Sequence, residues 1–212
     1  MIENIGNLIS KVFYRGIIDT GCNDDEKRHG LSRYVGKSIV WFDTSANKKK
    51  SQKRTKGGSY INEEEKRIIL EILDDLKSTG ELKGLDIGII TGYSGQKELL
   101  RKSIKATGLD KIASKIDINT LDAFQGREND IIIYSTVRTR DSIGFQKEKE
   151  RVNVAFSRAK KLLIVCGDKN FFYNFDDQDN KFVEIIDYIA EGEECEIIQC
   201  DGGKLFERES NS

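Results

Sequence analysis

No proline occurs anywhere in the 212 residues, and histidine, tryptophan and methionine occur once each. The missing proline goes with an abundance of Ile, Lys and Asn, as an AT-rich coding sequence would produce, and no function follows from it. The scarcity of histidine says more. A zinc site needs four well-spaced ligands, and His29 lies far in sequence from Cys195 and Cys200, a pair separated by four residues. Cys166 sits in the apolar run Leu162-Leu-Ile-Val-Cys166 and reads as a small buried hydrophobe. No metal site is expected, and Cys22, Cys166, Cys195 and Cys200 fit a reduced, cytoplasmic protein. The start, Met1-Ile-Glu-Asn-Ile5, has no basic region followed by an apolar core, and no run approaches about 18 apolar residues, so neither a signal peptide nor a membrane span is expected.

Charge of one sign is lacking too. Lysine and arginine total 35 against 36 acidic residues, for a net charge of −1 and a pI near 6.0. Any nucleic-acid contact must therefore come from a local basic surface. Hydrophobic residues make up 37% and charged residues 33%. A chain of this length still buries a sizeable core, either as one large domain or as a domain with an insertion.

Residues 2–14 carry Ile2, Ile5, Leu8, Ile9 and Val12 at helical spacing. Residues 15–37 read as loop, with a turn at Gly21. Gly36-Lys37-Ser38 ends the phosphate-loop pattern, but Leu31 stands where its first glycine belongs. The following Ser38-Ile-Val-Trp-Phe42 is a strand, whereas a phosphate loop opens a helix. Residues 43–60 form a hydrophilic loop with six basic residues from Lys48 to Lys56, then Gly57-Gly58. That loop is either a mobile phosphate-contacting segment or a solvated excursion. Asn62 with Glu65 reads as a capping box opening a helix on Ile68, Ile69, Ile72, Leu73 and Leu76.

Strands at 87–91, 116–120, 130–137 and 161–166 alternate with helices at 96–107 and 147–160, with another near 180–191 and a last strand at 196–200. This alternation indicates βαβ units and a mostly parallel sheet. The expectation is one α/β domain over residues 1–212, ending in a disordered tail at 201–212.

Two stretches carry the chemistry. Asn119-Thr-Leu-Asp-Ala-Phe-Gln-Gly-Arg-Glu-Asn-Asp130 is a polar, glycine-containing turn between two β-branched runs, and Glu150-Arg-Val-Asn-Val-Ala-Phe-Ser-Arg-Ala-Lys160 reads as a basic helix. Arg158, held on that helix, suits presentation to the terminal phosphate of a nucleotide; equally, the helix is an ordinary basic surface. Glu128 is a charged turn residue, or a carboxylate accepting from ribose hydroxyls. Thr91 and Thr120 each end a strand, either structurally or to touch backbone phosphates. Residue chemistry alone reaches a phosphate- or nucleotide-handling α/β domain.

The order Ile87-Gly-Ile-Ile-Thr-Gly-Tyr-Ser-Gly-Gln96, Thr120-Leu-Asp-Ala-Phe-Gln-Gly-Arg-Glu-Asn-Asp130 and Arg151-Val-Asn-Val-Ala-Phe-Ser-Arg-Ala-Lys160 resembles the second RecA-like domain of superfamily 1 helicases. The branch it resembles contains the RNA-surveillance helicase and the replication-associated helicase–nucleases. Phe13-Tyr-Arg-Gly16 and Gly58-Ser-Tyr-Ile-Asn62 look like that branch as well, so the resemblance spans residues 1–168.

The resemblance implies a P-loop NTPase-type fold without its own phosphate loop, mostly parallel and flanked by helices. It implies Arg158 as an arginine finger and Glu128 as the holder of the nucleotide sugar. Gln125 and Gly126 match the turn coupling nucleotide to nucleic acid. Thr120 matches a threonine that touches the nucleic-acid backbone, and Thr91, Tyr93 and Gln96 match a segment near the bound strand. Gly92 replaces the usual proline and loosens that turn, and Phe156-Ser157 replaces the usual leucine and threonine.

The implied cofactor is ATP with Mg2+, held mainly by an N-terminal RecA-like domain whose motifs are not among these residues. The implied partners are that domain and single-stranded DNA or RNA. The alternative is a stand-alone nucleic-acid-binding or regulatory module without ATPase activity.

Overall fold

A computed structural model describes residues 1–18, 28–81, 84–109, 115–124 and 126–206. Six parallel strands form its sheet. In chain order they are β1 (Ile39–Asp43), β4 (Asp86–Thr91), β5 (Lys115–Thr120), β6 (Asn129–Ser135), β7 (Ala159–Gly167) and β8 (Cys195–Gln199), and they lie side by side as β5-β4-β6-β7-β1-β8. Register pairs Thr91 with both Thr120 and Ser135 at the carboxyl edge, and Asn129 with Ala159 at the amino edge.

Both faces of the sheet are covered, which is why its strands read as continuous apolar runs. Alternate residues point to opposite faces. Ile132, Tyr134, Leu163 and Val165 pack under α1 (Glu3–Tyr14), α4 (Lys149–Phe156) and α6 (Phe182–Glu191). Ile131, Ile133, Leu162 and Ile164 pack under α2 (Glu63–Ser78) and α3 (Ser94–Thr107). A one-turn helix, α5 (Lys169–Tyr173), follows β7. Cys195 belongs to the first core and Cys200 to the second, so the sheet separates the two thiols. Among the described residues no helix is long and apolar enough to cross a membrane.

The expected helices and strands form, with four differences. The basic loop 43–60 holds a short hairpin, β2 (Lys53–Arg54) with β3 (Tyr60–Ile61), turning at Gly58 with φ +81°. It is tied down by Lys50 on Asp168 (2.8 Å) and by paired hydrogen bonds between Gln52 and Thr139 (3.1 and 2.9 Å).

The second difference is at Asn62. It does cap α2, accepting from the Glu64 and Glu65 N–H groups. Its own N–H, however, donates to Gln96 Oε1 at 2.8 Å, so Glu65 is free to turn inward instead of closing a capping box.

The third difference concerns Arg158. Helix α4 stops at Phe156, and Arg158 lies in the turn before β7, because the Asn129 N–H takes the Arg158 carbonyl into the sheet at 3.0 Å. The fourth is the tail. Residues 201–204 are exposed, but the last two described residues pack: the Leu205 N–H donates to Glu71 at 2.8 Å, and Phe206 lies edge-on to Phe42 beneath the Arg33 guanidinium. The expected turn at Gly21, and residues 207–212, fall outside the described residues.

Candidate functional site

The stretch from Thr120 to Glu128 is a crossover, not an edge turn. β5 and β6 are parallel with β4 between them, so residues 121–128 must travel from the carboxyl edge back to the amino edge across β4. A 3-10 turn, Leu121–Phe124, buries Leu121 and Phe124 against the sheet on the way. Gly88 permits this. A Cβ there would lie 2.6 Å from both Phe124 Cζ and Ile132 Cδ1, so only a glycine lets the crossover lie flat on the strand. Gly126 then turns the chain with φ +82°. Gln125 lies outside the described residues. β6 alone, at seven residues, spans about 20 Å, so the crossover joins two surfaces that far apart.

At the amino edge, Glu128 is exposed and Arg158 half-buried, and the Asn129–Arg158 backbone bond brings their chain segments together. Arg158 Nε donates to the Val154 carbonyl at 3.2 Å, which fixes the base of the guanidinium on the end of α4. Among the described residues neither Arg158 nor Glu128 has an ion-pair partner, whereas the neighbouring Arg127 and Lys161 are held by Asp117 (2.6 Å) and Asp130 (3.2 Å). An arginine left without a carboxylate partner keeps its outer donors available for an anion.

At the carboxyl edge, the structure encloses three of the four residues expected near a strand. Thr91 and Gln96 have no exposed surface and Tyr93 is 4% exposed. Gln96 donates to the Asn62 carbonyl and to Ser135 Oγ, both at 3.1 Å, and so ties α3 to α2 and β6. Thr91 Oγ1 accepts from the Tyr93 N–H at 3.4 Å. The Tyr93 ring lies between Tyr60 and Phe145. Thr120, level with Thr91 in register, remains partly exposed. Polar residues at strand ends look alike in sequence whether they face solvent or a buried network, so their enclosure had no signal.

The centre of that network is Glu65, which sequence reasoning took only for a cap. Its carboxylate accepts from Ser135 Oγ (2.6 Å), Thr136 Oγ1 (3.1 Å) and the Val137 N–H (2.8 and 2.9 Å). Full burial pushes its carboxyl group up to about 7, against the opposing pull of those hydrogen bonds. Val137 is held at φ +69°, a conformation costly for a β-branched residue. The Glu65 carboxylate over-determines it. Beyond Val137, Arg138 stacks 4.2 Å above the Tyr60 ring, and its Nε donates to the Ser142 carbonyl at 2.7 Å. Nothing in a valine announces a positive φ, and this segment was legible only as the end of a strand.

A groove of about 870 Å³ runs along α2, lined by Lys49, Lys53, Glu63, Arg67, Leu70 and Leu109, away from both edges.

Comparison with known proteins decides the family. A model described as an AAA domain matches residues 1–170. DNA polymerase alpha-associated DNA helicase A of Saccharomyces cerevisiae is 36% identical over 138 residues, covering 61% of this chain and 19% of that protein. Helicase SEN1 of the same yeast is 35% identical over 178 residues, 79% of this chain and 8% of its own length. The chain belongs to the AAA-domain family of superfamily 1 helicases.

Within the family it is a second RecA-like domain of the branch containing SEN1 and the regulator of nonsense transcripts 1, whose Neurospora crassa homolog is 38% identical over 116 residues, 53% of this chain and 10% of that one. The chain spans less than a fifth of each of these relatives. The C-terminal domain of a possible DNA helicase from Lactobacillus plantarum superposes with a TM-score of 0.45 at 13% identity, over 78% of this chain and 84% of that one, too loosely to carry weight.

Proposed function

We propose that this chain is the C-terminal motor domain of an ATP-dependent helicase, with nucleotide-facing groups at its amino edge and single-strand-facing groups at its carboxyl edge. The observation that carries this reading is the crossover 121–128. One short segment begins at Thr120, beside the strand-facing surface, and ends at Glu128, beside Arg158. A shift of this segment is felt at both edges, which is the coupling a motor needs.

The residues present fit part of an ATP site. Glu128 is free to accept from ribose hydroxyls, and Arg158 to meet the terminal phosphate. They do not fit the phosphate cradle. Gly36-Lys37-Ser38 runs into β1, and Lys37 Nζ is already engaged by the Glu193 (2.9 Å) and Cys195 (3.1 Å) carbonyls. The cradle and Mg2+ therefore belong to the N-terminal RecA-like domain of the full-length protein. ATP held between the two domains would supply a phosphoanhydride whose cleavage by water drives their opening and closing. Arg158 would meet the charge developing on the transferred phosphoryl group, and Thr120 would bear on the strand's phosphates. Thr91, Gln96 and Tyr93 support this surface from beneath.

The test is ATP hydrolysis by the full-length protein with and without single-stranded oligonucleotide. Hydrolysis that rises several-fold with oligonucleotide is the expected result, and hydrolysis indifferent to it would overturn the coupling. This reading also explains why the chain is no polycation. Its strand contact is a small edge and not a charged face.

A further inference from the structure

Phe145 is 44% exposed at the carboxyl edge, in a chain whose other phenylalanines are mostly buried. It is not loosely held. One side of its ring rests on Tyr93 (centroids 5.4 Å apart), which meets Tyr60 edge-on at 5.6 Å. Tyr60 is in turn covered by Arg138, itself only 4% exposed. The turn that carries Phe145 approaches Tyr93 so closely that a Cβ on Gly144 (φ +62°) would fall 2.0 Å from the tyrosine oxygen. Gly144 and a buried tyrosine thus fix this exposed ring in place.

The chemistry of its surroundings identifies what covers the ring. The Arg151 guanidinium lies over the Phe145 ring, 5.3 Å from its centroid, held by Glu148 at 2.8 Å and reaching Asp122 at 3.8 Å, two residues beyond Thr120. The ring, the guanidinium and the strand-end hydroxyl therefore share one surface. A fixed aromatic ring carrying a guanidinium plane is a surface on which an unpaired base stacks, against the exposed part of the ring and the guanidinium itself. A folded protein partner would want a broader apolar patch than one phenylalanine ringed by charge.

We propose that Phe145 is a base-stacking platform for single-stranded nucleic acid, seated on Tyr93 and flanked by Arg151. This rests on the reading of the carboxyl edge as the strand-facing surface, and it adds a contact to bases where that reading has contacts only to phosphates.

The experiment is binding of a single-stranded oligonucleotide carrying 2-aminopurine to the full-length protein, followed by anisotropy and by base fluorescence over a salt series. Phe145→Leu keeps the apolar packing on Tyr93 and removes the ring face. It is expected to weaken binding about tenfold and relieve the 2-aminopurine quenching, with the salt slope unchanged because no phosphate contact is lost. Phe145→Trp is expected to bind within a few-fold of wild type and to show its own emission quenched by the oligonucleotide. A leucine variant that binds like wild type, or a tryptophan left unquenched on binding, overturns the platform while leaving the strand-facing edge intact. Failure of the wild-type protein to bind at all overturns the edge assignment and the platform with it.

Discussion

Glu65 offers the sharpest quantitative prediction, because one buried carboxyl group holds together three segments of the carboxyl edge. Its folded-state value is raised from the usual 4.5 to about 7 by burial. A raised value means the folded protein holds this proton more tightly than the unfolded chain. The associated stability is fully present below the ordinary carboxylate range and is lost as pH rises through about 7. Between pH 5 and pH 8 the loss amounts to about 2–3 kcal/mol, at roughly 1.4 kcal/mol for each pH unit over which the two states differ in bound proton.

Glu65→Gln is neutral throughout and cannot contribute this slope. At pH 5 the protonated acid carries one O–H donor where the amide carries two N–H donors, one more than the surrounding Ser135, Thr136 and Val137 donors accommodate, so the variant is expected to be less stable there by about 1–3 kcal/mol. Urea unfolding at pH 5, 6, 7 and 8 measures both effects. Trp41 is a convenient reporter, being fully buried and donating to the Gly167 carbonyl at 3.1 Å. The gap between wild type and variant should narrow by about 2–3 kcal/mol across that range. Parallel curves would refute the account of Glu65 as a group that takes up its proton near neutrality.

Two further predictions concern the crossover and the tail. Gly88→Ala places a methyl group 2.6 Å from Phe124 and Ile132 and should cost about 1–3 kcal/mol in urea unfolding, so an unchanged midpoint would mean that the crossover does not lie on β4 as described. Phe206→Ala removes the ring packed on Phe42 and under Arg33 and should lower stability by about 1–2 kcal/mol; a neutral substitution would restore the view of residues 201–206 as a loose tail.

The layout of the sheet was legible because its signals are periodic. Ile131-Ile-Ile133 and Leu162-Leu-Ile164 can sit only in strands covered on both sides, and α1, α2 and α6 carry their apolar residues at helical spacing. What failed to show were features settled by partners distant in sequence. Val154-Ala-Phe-Ser-Arg-Ala159 contains good helix formers, yet pairing of Asn129 with the Arg158 carbonyl ends the helix early and puts Arg158 on a turn. Lysines 48–56 have low strand propensity, yet the glycine turn and the anchors on Asp168 and Thr139 make a hairpin of them.

The site divides in the same way. Thr120, Gly126, Glu128 and Arg158 were singled out from their order in the chain, and the last two lie on one edge without ion-pair partners among the described residues. Thr91 and Gln96 were singled out equally, but both are buried. Glu65, Val137 and Phe145 carried no signal that distinguished them. A carboxylate three residues into a helix is ordinary, and both the left-handed valine and the perched phenylalanine depend on neighbours that only the fold supplies.

The central claim is that Arg158 completes a nucleotide site from across a domain boundary while the opposite edge holds the strand. Steady-state ATP hydrolysis by full-length Arg158→Ala, at saturating single-stranded oligonucleotide, tests it most directly. The account predicts that turnover falls about 10³-fold or more, as removal of an arginine finger does, with ATP affinity and oligonucleotide affinity each within a few-fold of wild type. Turnover within a few-fold of wild type would contradict it.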